Sequence, residues 1–241
     1  MNGVFTIPAG TSFVDALAAG LIERFGDPPE ELANALILLP TRRSVRSLRD
    51  AFLRQSGGRA MVLPVMRPIG DVDEDEMTVA LSADFEGDVD LPPTIGGLRR
   101  QLLLARRIRD DPAFGVTGDE QAAQLAAALA SFIDEVDTAE ADLGRLENLV
   151  DDAGLSEHWQ TTLRFLTGVL DAWQQTLKRE DRIDPAAHRR HLLDNLEQRW
   201  RDNPPQGPVV AAGSTGTIPA TARLLARVRA LPLGMVVLPG L

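Results

Sequence analysis

Hydrophobic positions in this chain alternate between two periods, and the switch from one to the other divides it into three stretches. At the start, Val4 to Ile7 is a short β-rich run, and the turn PAG leads into TSFVDALAAGLIERFG, a helical pattern with Thr11 or Ser12 as N-cap. Ala35 to Leu39 (ALILL) is an unbroken apolar run of buried-strand length, followed by Pro40, Thr41 and a helix ending near Gly57 and Gly58. The stretch MVLPVMRPIG reads as a third strand; its prolines make it an edge strand or an extended exit.

The middle stretch opens with an acidic run (DVDEDE, then DFEGDVD) that has no apolar period and reads as a loop. Helical periodicity follows. It covers Ile95 to Arg109, then Ala122 to Val136 with Leu125, Leu129, Phe132, Ile133 and Val136 as its stripe. A helix around His158 to Arg179 spaces Leu163, Leu166, Leu170, Trp173 and Leu177 by threes and fours, and Ala186 to Trp200 adds another. After the Pro-rich DNPPQGP, strand signals return at Val209 to Ala212 and Met235 to Leu238, separated by a glycine turn and a helix. The pattern predicts an α/β domain with a parallel sheet, interrupted by an all-helical insertion, with 1–70 and 205–241 in the first and 71–204 in the second. Ending at LPGL, just after a strand, the chain reads as a fragment of a longer protein.

Composition narrows the chemistry. There is no cysteine, which excludes a thiolate metal site, a cysteine nucleophile or an iron–sulfur cluster within these residues. Of 25 basic residues, Lys178 is the sole lysine, and its context QQTLKRED has no glycine, so no Walker A phosphate loop exists. No apolar run is long enough for a membrane span, and the N-terminus lacks signal-peptide character; the expected location is the cytoplasm. The net charge of −10 is carried by residues 61–150, where 19 acids face 7 arginines; residues 1–60 hold 7 arginines against 6 acids.

The strongest binding candidate is LLPTRRSVRSLRDAFLR. Arg42, Arg46 and Arg49 fall within about 60° on a helix at about 100° per residue, beside a buried stripe of Val45, Leu48 and Phe52. Thr41 and Arg42 stand where a strand's C-terminal end meets a helix N-terminus, a place suited to phosphate. Only Asp50 offsets the six arginines between positions 42 and 59. The plain alternative is a solvated face paired with acids elsewhere. Gly213, Ser214 and Thr215 in AAGSTGTIPATARLL form a candidate anion nest, or else an ordinary turn with Ser214, Thr215 or Thr217 capping the next helix. Gly10, Thr11 and Ser12 occupy the place of a phosphate loop without its lysine. Asp71, Asp73 and Asp75 start like a calcium loop, but Glu76 stands at its glycine position and Ser82 at its glutamate position. His188 and His191 lack a third ligand, so no metal site is expected. No nucleophile elbow or catalytic triad is present, and the chain is expected not to be an enzyme on its own.

In their order, VFTIPAGTSFVDALAAGL, LILLPTRRSVRSLRDAFL, VMRPIGDVDEDE and VVAAGSTGTIPATARLL resemble the N-terminal helicase-like region of the AddB family, most closely its α-proteobacterial branch. These are the nuclease-bearing subunits of the bacterial AddAB helicase–nucleases of double-strand break repair. The resemblance implies a RecA-like, superfamily 1 helicase-like sheet with a helical insertion. It implies DNA and an AddA-like motor subunit as partners, a share in Chi recognition, and a C-terminal nuclease with an iron–sulfur cluster that these residues do not include. By position, Gly10, Thr11 and Ser12 fall on helicase motif I, degenerate here. Thr41, Arg42, Arg43 and Arg46 fall on motif Ia, which touches the single-strand backbone. Gly213 and Ser214 stand where magnesium-binding acids ordinarily follow the strand. The implied role is an ATPase-dead, DNA-guiding scaffold with no cofactor in this region. The alternative is a scaffold that docks the motor subunit without touching DNA, for which an exposed Leu/Trp stripe on 158–179 would speak.

Overall fold

The computed structural model describes residues 3–71, 91–112, 115–142 and 157–240. The chain divides into two units, Met1–Val89 with His191–Leu241, and Asp90–Arg190.

The first unit is an α/β domain around five parallel strands: β1 (Gly3–Ile7), β2 (Leu36–Thr41), β3 (Val65–Asp71), β4 (Val209–Ala212) and β5 (Gly234–Pro239), in the order β1-β5-β4-β2-β3. The sequence explains who sits where. All four residues of β4 are buried, as are Ile37, Leu38 and Leu39 of β2, because unbroken apolar runs need cover on both faces. β1 alternates between half-buried and exposed and takes one edge. β3 carries Arg67 and Pro68, and the proline has no N–H to give a ladder, so it takes the other edge, as the proline pattern predicts. The β2–β3 register also shifts between Leu39 and Thr41.

Helix α1 (Phe13–Phe25), the short α2 (Pro29–Ala33) and α3 (Arg42–Gln55) cover one face. Leu17, Leu21 and Phe25 of α1 and Leu48, Ala51 and Phe52 of α3 pack with Ile37, Leu39, Val210, Ala212, Met235 and Val237. Leu48 and Phe52 are fully buried, each worth about 1.5–3 kcal/mol in transfer terms. Turn-sized α2, with Pro29 at its start, carries no period long enough to announce it in sequence.

Among the described residues, four helices follow β3: α4 (Gly97–Asp110), α5 (Asp119–Ala139), α6 (Glu157–Glu180) and α7 (Pro185–Asp202); α8 (Pro219–Ala230) joins β4 to β5. The division into units falls within α7. Its later part pairs with α8 through Arg223–Asp194 at 2.6 Å and Arg227–Glu197 at 2.9 Å. Glu197 is held below its ordinary value: burial pushes it up, and hydrogen bonds from Arg227 and Arg201 more than offset this.

Within the described residues the second unit is helical apart from one parallel bridge, Thr94 to Ile183. Leu104 and Ile108 of α4 meet Ala122, Ala126 and Ile133 of α5 and Trp173 and Leu177 of α6. The α5 stripe differs from the expected one. Ile133 is buried and Leu129 packs against this core as expected, whereas Leu125 is exposed and Ala122 and Ala126 are buried instead. Trp173 and Leu177 lie in this core, so the described part of the α6 stripe is not a free surface. Apart from Asp71, the acidic run with its calcium-like positions lies outside the described residues, and so does the side chain of Leu163. No helix among the described residues is long and apolar enough to cross a membrane.

Candidate functional site

The topology concentrates strand ends where a ligand can reach them. From β2 the chain passes through α3 to β3 on one side, and from β4 through α8 to β5 on the other. Neighbours in register (Leu38 beside Ala211), β2 and β4 therefore flank a topological switch point, where parallel sheets leave a crevice outside the strand ends. Thr41 ends β2 with Arg42 directly after it, and Gly213 to Gly216 follows β4, so two of the three candidate segments border that crevice. The third, Gly10 to Ser12, joins them through Phe13. A Cβ at Gly213 would lie 3.4 Å from the Phe13 ring and 3.6 Å from the Pro40 ring. Gly213 has φ +79°, and its N–H donates to the Val237 carbonyl at 2.9 Å.

Three helix N-termini meet this edge of the sheet, and their first turns differ in charge. In α1 the preceding turn is tight: Thr11 N–H bonds the Pro8 carbonyl at 3.3 Å, with Gly10 at φ +89°. Ser12 is the N-cap, yet its hydroxyl donates to Asp15 at 2.5 Å instead of accepting from the helix. Asp15 also takes Arg54 at 2.6 Å. The Ser12 hydrogen bond first, and Arg54 second, hold its carboxyl below the ordinary value. A carboxylate thus already occupies the positive end of α1.

In α8 the first turn is uncharged. Its N-cap is Ile218, without a side-chain bond, and Pro219 at the first helical position needs no acceptor. The expected cap by Ser214, Thr215 or Thr217 is absent, since the intervening Gly216 turns the chain at φ +69° and its N–H faces the Ser214 hydroxyl at 3.5 Å. Thr215 and Thr217 are exposed.

In α3 the first turn is cationic. Thr41 caps it, accepting from Ser44 N–H at 3.1 Å, and its hydroxyl also meets the Ser44 hydroxyl at 2.9 Å. Arg42 is half-buried; Arg43 and Arg46 are exposed and have no ion-pair partner among the described residues, and the same is true of Arg49. Arg54 and Arg59 belong to the scaffold: Arg54 bonds Asp15, and Arg59 bonds the Ser56 carbonyl at 3.3 Å. Of these three helix starts, only that of α3 combines the N-terminal dipole with exposed guanidinium groups that have no ion-pair partner among the described residues.

Sequence reasoning missed Asp15 and Phe13. Ser12-x-x-Asp15 is a helix-start pattern whose acid announces a negative first turn, so the signal for Asp15 was present. Phe13 had none, because its contact with Gly213 depends on the sheet order. His188 is buried, His191 is half-buried, and no metal-holding group of histidines and acids occurs among the described residues.

Compared with known proteins, the chain matches no protein-family model and no curated protein.

Proposed function

We propose that this chain is an AddB-like, RecA-like helicase domain that does not hydrolyse ATP and that guides DNA by holding backbone phosphates at the strand ends of its sheet. In this reading it belongs to a longer cytoplasmic subunit of a double-strand break repair helicase–nuclease and works beside an AddA-like motor. The observation that carries it is the start of α3, where a Thr41-capped helix presents Arg43 and Arg46 unpaired at the switch point. The five-stranded parallel order is compatible with a RecA-like sheet. Asp15 at the head of α1, together with the missing phosphate-loop lysine, supports loss of ATP hydrolysis. Charge-assisted bonds to phosphate are salt-dependent and blind to sequence.

The test is fluorescence anisotropy with a labelled single-stranded oligonucleotide at low and high salt, beside Arg42→Ala/Arg43→Ala. Salt-sensitive binding that the double variant loses is the expected result; equal affinity of the two proteins at low salt overturns it.

A second reading, a scaffold that docks the motor subunit without touching DNA, draws support from Leu98 and Leu102, one turn apart on α4 and 72% and 61% exposed. Loss of motor-subunit capture by Leu98→Ser/Leu102→Ser, with no oligonucleotide binding by the wild type, would favour it.

A further inference from the structure

The outward face of α3 continues beyond the residues that resemble motif Ia. Positions 42, 46, 49 and 53 follow one another at helical spacings of four, three and four, and so form a single lengthwise stripe on the side away from Leu48, Ala51 and Phe52. Three are arginines. The fourth, Leu53, is 60% exposed. Arg46 and Arg49 are exposed and without ion-pair partners among the described residues. Asp50, the helix's only acid, is exposed as well and makes no ion pair with them.

We propose that this stripe is a track for one nucleic-acid strand, with Arg46 and Arg49 holding consecutive phosphates and Leu53 marking the point where the track ends. The inference rests on the phosphate-holding reading of Arg42 and Arg43 and extends it by direction and length. The strand enters at the switch point and runs along α3 towards Gln55. Neighbours on the stripe have Cβ atoms about 5–6 Å apart, within reach of adjacent phosphates for side chains as long as arginine. A file one residue wide follows one backbone. A single strand can bend to bring successive phosphates to that file, whereas a duplex is stiff over this length, so the track favours single strands. Leu53 breaks the charge and offers an apolar surface to a sugar or base, which fixes the number of phosphates held.

The experiment measures the salt dependence of binding to a fluorescein-labelled oligothymidine, about twelve nucleotides long, a length within the range of single-strand sites. Each arginine that holds a phosphate contributes about 0.7 to the slope of log K against log salt. Arg46→Ala and Arg49→Ala are each expected to lower the slope by about that amount, and Leu53→Arg, which adds a cation in line, to raise it by about 0.7. Arg106→Ala, on the exposed face of α4, removes the same charge elsewhere and is expected to leave the slope unchanged. A duplex of equal length is expected to bind more weakly.

Should Arg42 and Arg43 matter while Arg49→Ala and Leu53→Arg change nothing, the track is wrong and the phosphate site at the switch point stands. If none of these substitutions alters binding, or the wild type does not bind at low salt, both fall. Equal affinity for the duplex, or a loss in Arg106→Ala as large as in Arg49→Ala, overturns the single-strand track in favour of general charge attraction.

Discussion

Helices α3 and α4 are alike on paper, each with fourteen residues and five arginines. In α4 every arginine is paired. Arg99 meets Glu180; Arg106 and Arg107 reach Asp110 and Asp111 one turn on; Arg109 takes Asp110 and Asp119 at 3.3 Å. Arg100 points inward, with Nη2 2.9 Å from Asp134 and Nε 2.9 Å from Asp184. In α3 only Asp50 is available along the helix, and Arg43, Arg46 and Arg49 stay unpaired among the described residues. Arginine content therefore says little about binding. What separates the two helices is whether acids lie within a turn or on a packed neighbour, and a guanidinium without such a partner is the one with a bond left to give.

The comparison breaks most severely at Arg100. This side chain is 6% exposed, and Asp184, 1% exposed, depends on it and on a 2.7 Å bond from the Trp173 indole. Arg100→Ala leaves an uncompensated buried carboxylate, at an expected cost of about 3–5 kcal/mol by denaturant unfolding. Burial already pushes the Asp184 carboxyl above its ordinary value, against the opposing pull of Arg100. An acid whose folded pKa is raised binds more protons folded than unfolded, so stability falls as pH rises through that range. The loss in Arg100→Ala is therefore expected to be largest at neutral pH and to shrink on acidification. A loss independent of pH would show that packing, and not the stranded charge, sets the cost. Substituting Arg46 or Arg49 with alanine on α3 is expected to move stability by no more than about 0.5 kcal/mol in the same assay.

How far each helix could be read from sequence follows the same line. The α3 arginines were legible because strand, proline, threonine and arginine are contiguous, and a local pattern needs only local geometry. So were all five strands, whose apolar runs stand between proline and glycine turns. Arg100 was not. It occupies the apolar stripe of α4 with Leu104 and Ile108, but its partners come from Ala130 and Asp134 on α5 and from Asp184 before α7, far along the chain. The sheet order escaped for a similar reason, because adjacency of β2 and β4 arises across more than 160 residues and no short-range signal encodes it. With it went the knowledge that Gly213 abuts Phe13 and Pro40, although each of those turns was visible singly.

A smaller effect sharpens the site on α3 itself. Thr41→Ala removes the bond to Ser44 N–H and is expected to cost about 1 kcal/mol. Thr41→Ser keeps an acceptor and should recover most of it. If the cap also sets the direction of Arg42 and Arg43, oligonucleotide affinity falls in the alanine variant and returns in the serine variant. Affinity that ignores both substitutions would assign Thr41 to stability alone.

The smallest effect concerns the neighbouring helix start, where a carboxylate stands in place of a ligand. Asp15 lies half-buried between Ser12 and Arg54, and both lower its pKa. A carboxylate held low in the folded state adds stability above its unfolded pKa, and that contribution fades as pH falls through the folded value. Removing the cation by Arg54→Ala is expected to move the Asp15 titration upward, towards the ordinary 3.8, in a carboxyl-detected NMR titration, with the Ser12 bond retaining part of the shift. The same variant bears on why α1 and α3 differ. With Arg54 gone, Asp15 keeps its negative charge at neutral pH, so the head of α1 should still refuse nucleotide. Asp15→Asn takes that charge away and leaves an uncharged helix start over a turn that still has no lysine. If Asp15→Asn alone brings measurable nucleotide binding, the carboxylate is what keeps phosphate from α1; if it does not, the missing lysine and the tight Pro8–Thr11 turn suffice, and Asp15 serves to tie α1 to α3 through Arg54.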